Sequence, residues 1–238
     1  MMIQIPGCFK ANHMNYYLLF LTIVTAAVNW LASAKDWKNL VYITKPGTML
    51  ILLAWLWQVS HFQGAIIWFA AALIFSLAGD VFLMLPREQF TAGLVSFLLG
   101  HIAYSIGLLS ILPKFNLASF SVALLVGITA FRLYHRIAGG LNASDQQKIK
   151  IPILIYILAI GVMVTAALLT MVTYKWNTWA SLTISTGAIF FLLSDSWLAW
   201  DRFVAPLKYR KLRVMVTYHL GQIGLVCGAV LNFIVVWD

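Results

Sequence analysis

The sequence predicts an all-α fold, a polytopic membrane helix bundle with eight transmembrane helices. Of its 238 residues, 62% are hydrophobic and only 10% are charged, whereas a soluble domain typically carries about 25% charged residues. A spanning helix needs about 20 predominantly apolar residues, and stretches of this length recur along the chain. We therefore expect a single integral membrane domain over residues 1–238, with no separate soluble module.

Four spans are expected in the first half of the chain, at residues 16–34, 42–60, 64–85 and 91–112. The first is a continuous apolar run. The second is the weakest, because its apolar core at residues 49–57 is short and follows Pro46-Gly47, a pair that starts or kinks a helix. The third carries Asp80 and the fourth carries His101 inside otherwise apolar segments.

Four more spans are expected in the second half, at residues 115–134, 150–173, 178–199 and 215–237. The polar stretch 139–148, between the fifth and the sixth, is too short to fold by itself. The seventh span carries Asp195 near its end, and the eighth follows a basic segment. The chain shows no clear internal repeat of the kind that marks many transporters.

Basic residues are distributed unevenly among the predicted loops. All Lys and Arg residues except Lys10, Lys114 and Lys175 fall on the side reached after helices 1, 3, 5 and 7. Because Lys and Arg are enriched in cytoplasmic loops, we expect both termini to lie outside the cytoplasm. This topology accounts for the formal net charge of +9, so no nucleic-acid partner is expected. A bacterial inner membrane is the expected location.

Two aspartates within apolar spans are the most informative residues. Asp80 ends the run AALIFSLAGD, and Asp195 lies in AIFFLLSDSWLAW. An ionised carboxylate in hydrocarbon costs about 2.5–3.5 kcal/mol on insertion scales, so it normally faces a bundle interior or a wet cavity and marks a functional site. We therefore predict a buried acid/base pair. Asp201, beside Arg202 at the membrane interface, is expected only to form a local ion pair.

Other polar residues fall in the same cytoplasmic half of the bundle. His101 and Tyr104 share a face of the fourth helix, and Tyr218 and Gln222 form an i, i+4 pair in the eighth. Together with the two aspartates they bring polar groups from four helices to one end of the membrane. This distribution predicts a polar pocket that opens toward the cytoplasm.

The chain lacks the motifs of several other functional classes. It has no Gly-x-Ser-x-Gly elbow, no phosphate-binding Gly-rich loop and no histidine pair at metal-ligand spacing within a helix. We therefore expect neither a metal nor a cofactor. Two alternatives stay open: a transporter or channel that uses intramembrane carboxylates, and a lipid amidase similar to alkaline ceramidases, which would require several metal-binding histidines.

A set of short motifs recurs in order through the predicted helices. They are Thr44-Lys45-Pro46, Gly79-Asp80-Val81-Phe82-Leu83-Met84, Phe90 with Gly93-Leu94, Phe97 with Gly100-His101 and Tyr104, Ser194-Asp195 with Leu198-Ala199 and Arg202-Phe203, and Tyr218 with Gln222. On these motifs the chain resembles, over almost its whole length, the lysoplasmalogenase or YhhN-like family of multispanning membrane proteins. One departure is His219, where a second aromatic residue is expected.

The resemblance implies an eight-helix fold and hydrolysis of the vinyl ether bond of lysoplasmalogens. The products would be a fatty aldehyde and a glycerophospho-ethanolamine or -choline. Two aspartates are thought to act in this family, and they map onto Asp80 and Asp195. The expected partners are a lysophospholipid substrate and the surrounding membrane lipids, with no obligate protein partner.

Two carboxyl groups suit this chemistry. A vinyl ether has no carbonyl group to attack, so cleavage begins with protonation of the alkene carbon, and water then adds to the oxocarbenium ion. Glycosidases form a similar cation between two carboxyl groups in different environments. We hypothesise that Asp80 is the general acid and Asp195 the base, with the reverse assignment left open. The expected substrate-binding residues are His101, Tyr104, Tyr218, Gln222 and, at the phosphate, Lys45 and Arg202.

Overall fold

The computed structural model describes residues 16–85, 89–111, 116–143 and 147–235. Within these segments the chain forms eight α-helices, each long and apolar enough to cross a membrane. The all-α prediction is confirmed, and the chain is an integral membrane protein. The helices are α1 (Tyr17–Ala34), α2 (Lys38–Ser60), α3 (Ile66–Met84), α4 (Phe90–Leu109), α5 (Leu117–Ala143), α6 (Lys150–Leu169), α7 (Thr178–Phe203) and α8 (Arg210–Phe233).

Several helices extend beyond the apolar segments that predict them. Helix α2 begins at Lys38, earlier than expected, and continues through Pro46. Helices α5 and α7 continue to Ala143 and Phe203, and α8 begins at Arg210. Hydropathy marks only the part of a helix that lies in hydrocarbon, whereas the backbone stays helical among polar residues at the membrane surface. Four positions of the expected spans lie outside the described residues: 112, 115, 236 and 237.

Helices α7 and α8 pack so closely that their backbones touch. A Cβ atom at Gly224 would lie 2.7 Å from the Cα of Gly187, and one at Gly228 would lie 2.8 Å from a backbone nitrogen of α7. Small residues permit this approach, because helix association in lipid relies on van der Waals packing. The Ser194 hydroxyl also donates to a backbone carbonyl of α8 at 3.1 Å. The neighbouring Asp195 is thereby fixed relative to α8.

Helices α3 and α4 form a second close pair. A Cβ atom at Gly79 would lie 2.6 Å from the Phe97 ring, and one at Gly100 would lie 3.4 Å from a backbone carbonyl oxygen of α3. Each glycine directly precedes an ionisable residue, Asp80 on α3 and His101 on α4. Both of these side chains are buried, so the close pairing holds them inside the bundle.

The buried apolar residues form two separate clusters. The larger one fills the space among α2, α3, α4, α6, α7 and α8. The smaller one joins α5 to α6 and to the end of α7, and it consists of Ile137, Leu141, Ile153, Ile157 and Phe203. Helix α5 lies at the margin of the bundle, since only 11% of the residues in its apolar segment are buried.

Candidate active site

A cavity of about 570 Å³ lies at the end of the bundle where α1 connects to α2 and α7 connects to α8. Its wall includes the last turns of α3 and α7 and the first turns of α2 and α8. Asp80 and Asp195 both line this cavity, together with Lys45 and Tyr218. The two intramembrane aspartates therefore line one cavity at this end of the bundle.

Asp80 is enclosed by partners from two other helices. Its Oδ1 lies 3.0 Å from Lys45 Nζ, and its Oδ2 accepts a hydrogen bond from the Tyr218 hydroxyl at 2.8 Å. The Asp80 and Lys45 side chains are only 1% and 8% exposed. Buried charges of this kind persist when they are paired and hydrogen-bonded. Both oxygens of Asp80 are engaged as acceptors, the arrangement that suits an ionised carboxylate.

Asp195 is more open to the cavity, with 14% of its side chain exposed. Its Oδ2 accepts a hydrogen bond from the Tyr156 hydroxyl at 2.5 Å and lies 3.1 Å from His101 Nε2. His101 Nε2 is also 3.0 Å from the Tyr156 hydroxyl oxygen, so the three polar groups form a triangle. The Nε2–H tautomer of His101 fits this geometry, since Nε2 can then donate to either oxygen. His101 is fully buried and lies behind Asp195 rather than in the cavity wall.

Tyr156 also belongs to this site, although it is not among the residues predicted from the sequence. It lies on α6, within a span whose mean hydropathy reaches 2.5. A buried tyrosine hydroxyl requires a hydrogen-bond partner. The sequence feature that could have identified Tyr156 is its position as a lone tyrosine in the middle of an otherwise apolar stretch, ILIYILAI. Its partner, Asp195 on α7, is apparent only from the packing of the two helices.

The two cations expected at the substrate phosphate have different surroundings. Lys45 lines the cavity, but its ammonium group already has Asp80 as an anionic partner. Arg202 also lines the cavity, and its guanidinium carbon lies 3.9 Å from the centre of the Phe90 ring, a cation–π geometry. Lys45 therefore belongs to the environment of Asp80, while Arg202 lies in the cavity wall beside an aromatic residue.

Tyr104 and Gln222 form a pair buried behind the cavity. The Tyr104 hydroxyl donates to Gln222 Oε1, and both side chains are fully buried. Tyr104 has a single hydroxyl proton, and this bond uses it, so Tyr104 donates to neither aspartate. Tyr218, one turn from Gln222 on α8, is the tyrosine that reaches Asp80. Neither Tyr104 nor Gln222 lines the cavity wall.

Two polar residues outside the expected site also find partners on other elements. Asp201 pairs with Arg210 Nε at 3.0 Å and accepts a backbone N–H at 2.8 Å, so it does form a local ion pair, and the partner is Arg210 of α8. The turn between α7 and α8 brings Arg210 back to Asp201. His219 is fully buried, and its Nδ1 accepts the indole N–H of Trp30 at 3.0 Å, which links α8 to α1.

Basic side chains surround the mouth of the cavity. Lys38, Arg202, Arg210 and Lys211 all line it. Lys211 pairs with Asp36 in the α1–α2 connection. This hydrogen bond is the main cause that lowers the pKa of the exposed Asp36 carboxyl below its ordinary value of 3.8. Asp36 and Asp201 also line the mouth, so its basic side chains outnumber its acidic ones, a balance that suits an anionic group such as a phosphate.

The cavity joins two carboxyl groups that have different partners, and such a pair can divide acid and base roles. One is held in a buried ion pair, and the other faces the cavity beside a histidine and a tyrosine. Across the described ranges, no group of three or more His, Cys, Asp or Glu side chains is placed to hold a metal ion. The polar groups that contact the two carboxyl groups are the Lys45 ammonium, the His101 imidazole and the phenols of Tyr156 and Tyr218.

Comparisons with known proteins identify relatives of the chain. The model of the YhhN family matches residues 40–229. The lysoplasmalogenase TMEM86A of Bos taurus is 27% identical over 213 residues, covering 85% of this chain and 83% of the relative. The lysoplasmalogenase TMEM86B of Mus musculus is 28% identical, covering 91% and 82%. The lysoplasmalogenase of Mycobacterium tuberculosis is 27% identical, covering 68% and 59%. No solved structure matches the chain.

Proposed function

This chain belongs to the YhhN family, and we propose that it is a membrane lysoplasmalogenase that hydrolyses the vinyl ether bond of lysoplasmalogens. The products are a fatty aldehyde and a glycerophospho-ethanolamine or -choline. Relatives named lysoplasmalogenase from mammals and mycobacteria support this activity. The observation that carries the mechanism is that Asp80 and Asp195 line one cavity with different partners.

Asp195 is the general acid in this mechanism, the reverse of the assignment first hypothesised from sequence. Its carboxyl group is partly exposed to the cavity, where a substrate can reach it. Tyr156 and His101 both contact Oδ2, which leaves Oδ1 to carry the transferable proton. That proton moves to the alkene carbon that does not carry the ether oxygen. The pair of electrons from the double bond forms the new C–H bond, and the positive charge is shared with the ether oxygen.

Asp80 is the base and the counter-charge for the oxocarbenium ion. A carboxylate offers about four acceptor positions, and Lys45 and Tyr218 occupy two of them. A water molecule adds to the carbon of the oxocarbenium ion and gives up one proton to Asp80. The hemiacetal then collapses to an aldehyde and the free glycerol hydroxyl group. The overall reaction consumes one water, and both carboxyl groups return to their starting states once protons exchange through the cavity.

The headgroup lies toward the basic mouth of the cavity. Arg202 is the residue of this wall best suited to the substrate phosphate, since a guanidinium group can bind it through two parallel hydrogen bonds. Lys45 acts on the phosphate only indirectly, because it is committed to Asp80. The lysolipid thus keeps its polar end at the membrane surface and its vinyl ether bond at the depth of Asp195.

The reaction is tested with the purified protein in detergent and lysoplasmenylethanolamine as substrate. We expect the parent protein to release fatty aldehyde. Asp195→Asn and Asp80→Asn should each lower kcat by about 10²–10⁴-fold, the range for loss of a general acid or base. Asp201→Asn is the matched control, because it removes a carboxylate from the same cavity wall that has no role in the reaction.

Three outcomes are informative. Aldehyde release by the parent and by Asp201→Asn, with loss in the other two variants, supports the two-carboxylate mechanism. Activity within tenfold of the parent in a folded Asp195→Asn variant contradicts the role of Asp195 but keeps the reaction. The absence of aldehyde from folded parent protein contradicts the reaction itself, and proton or cation uptake by proteoliposomes then becomes the next measurement.

We further propose that the cavity opens toward the cytoplasm of a bacterial inner membrane, with both termini on the opposite side. The uneven distribution of Lys and Arg residues supports this orientation. A periplasmic reporter enzyme fused after residue 238 should be active, and the same reporter inserted in the connection between α7 and α8 should be inactive. The opposite pattern contradicts the orientation without affecting the proposed reaction.

A further inference from the structure

A narrow apolar slot lies beside the polar cavity. It is a space of about 50 Å³ between α4, α5, α6 and α7. Its wall includes Leu94, Leu133, Ile137, Ile153 and Ile157. Three of these residues belong to the smaller apolar cluster that holds α5 against α6. The slot therefore lies where the marginal helix α5 meets the rest of the bundle.

The slot and the polar cavity adjoin at Asp195. Four residues line both spaces: Leu83, Phe97, Asp195 and Leu198. Tyr156, which donates to Asp195, lies in the wall of the slot. On the other side, Arg202 lines the cavity while the Phe90 ring beneath its guanidinium group lines the slot. The acidic group thus marks the boundary between a polar compartment and an apolar one.

We propose that the apolar slot binds the first part of the alkenyl chain of the substrate and thereby places the vinyl ether carbon against Asp195. This inference rests on the proposed lysoplasmalogenase activity. A lysoplasmalogen has one hydrocarbon chain joined through the vinyl ether to a charged headgroup, so its own polarity changes at the bond to be cleaved. The protein changes polarity at Asp195 in the same way: the polar cavity lies on the side of the headgroup, and the apolar slot lies on the side of the hydrocarbon chain.

The slot acts by positioning rather than by affinity. A hydrocarbon chain gains little on leaving lipid for an apolar protein surface, because lipid tails are as apolar as the slot. Holding the alkene carbon within reach of a proton donor is a different contribution, since correct placement of reacting groups lowers the barrier of a reaction. A blocked slot should therefore lower kcat for long-chain substrates more than it raises KM.

The test fills the slot and varies the chain. Leu133→Trp places a larger side chain in the slot from α5, and Leu125→Trp makes the same change at a residue of α5 that is 65% exposed. Turnover is measured for vinyl ethers with an eighteen-carbon chain and with a two-carbon chain, which has no carbon beyond the alkene to enter the slot. We expect Leu133→Trp to lower kcat at least tenfold with the long chain and less than twofold with the short one. Leu125→Trp should change neither by more than twofold.

Equal loss with both chain lengths, or no loss with either, in a folded Leu133→Trp variant overturns the proposal. If that variant does not fold, Leu94→Trp fills the same slot from α4, and Leu99→Trp, at a position 39% exposed, is its control. Leu94→Trp should lower kcat at least tenfold with the long chain and less than twofold with the short one, and Leu99→Trp should change neither by more than twofold. Equal loss with both chain lengths, or no loss with either, in a folded Leu94→Trp variant again overturns the proposal.

A binding measurement separates this inference from the proposed reaction. A lysophospholipid with a saturated eighteen-carbon ether chain cannot be hydrolysed by this route, so its effect does not depend on turnover. Its chain should protect the thiol of an Ile153→Cys variant from alkylation, and this protection should be at least tenfold weaker when Leu133→Trp is also present. Such a difference supports the slot even if no aldehyde is ever released. Equal protection in the two backgrounds overturns it.

Discussion

The two intramembrane aspartates lie near the same end of parallel helices, yet their surroundings differ. Asp80 is 1% exposed and has an ammonium group 3.0 Å away. Asp195 is 14% exposed, and its polar partners are an imidazole and a phenol. The difference arises from the neighbouring helices, α2 and α8 for the first and α4 and α6 for the second. The same residue type thus becomes either a buried, ion-paired carboxyl group or one that is more accessible from the cavity.

The largest expected effect on stability comes from removing the cation beside Asp80. Lys45→Met leaves a buried charge unpaired, and the loss of one partner of a buried pair costs about 3–5 kcal/mol. Unfolding in mixed detergent micelles measures this change in the free energy of unfolding. The double variant Lys45→Met/Asp80→Asn should recover most of it, because no charge is then left unpaired. If the double variant is as unstable as the single one, packing rather than charge accounts for the loss.

A smaller effect, on activity, is expected when the tyrosine hydroxyl groups that donate hydrogen bonds to Asp195 and Asp80 are removed. A hydrogen bond to a charged group contributes about 1.5–3 kcal/mol, or about 10–150-fold in rate. Tyr156→Phe removes the donor to Asp195 and should lower kcat within this range. Tyr218→Phe removes one donor from Asp80 but leaves the Lys45 contact, so its effect on kcat should be smaller. A larger loss in Tyr218→Phe than in Tyr156→Phe contradicts the distinction drawn between the two carboxyl groups.

The Asp195 site should tolerate a neutral side chain structurally. The amide introduced by Asp195→Asn keeps an oxygen that accepts from Tyr156, so this substitution should change the free energy of unfolding by no more than about 1 kcal/mol. Asp80→Asn, by contrast, leaves buried Lys45 unpaired and should cost several times more. Thermal unfolding in detergent compares the two variants directly. Equal destabilisation by both substitutions would contradict the contrast between a buried, ion-paired carboxyl group and a more accessible one.

The smallest effect is expected at the exposed pair of Asp36 and Lys211. The Lys211 contact lowers the pKa of Asp36 below its ordinary value of 3.8, so the pair stabilises the fold at pH above that value. This contribution disappears as the pH falls through the lowered pKa. Asp36→Asn should therefore differ slightly from the parent in midpoint temperature near neutral pH and not at all once the carboxyl is protonated. A difference that persists in acid contradicts a charge-based contribution.

Much of the fold was predictable because it depends on local composition. Eight apolar segments identified eight helices, since each must satisfy its own backbone hydrogen bonds in lipid. Helix ends such as Lys38 and Ala143 were not predictable from hydropathy, because polar residues continue the helices at the membrane surface. Asp80, Asp195 and His101 stood out as costly residues in hydrocarbon, and the structure brings all three to one region of the bundle.

The sequence by itself determined the class of the protein, the number of its helices and the residues most expensive to place in a membrane. Only the tertiary structure decided which partner each of these residues has. The Tyr218–Asp80 hydrogen bond joins residues 138 positions apart, and the contact of Tyr156 with Asp195 depends on how α6 packs against α7. Apolar periodicity identifies a helix within one segment, whereas a hydrogen bond between helices depends on their relative rotation and depth. Those are set by close packing at residues such as Gly187 and Gly224.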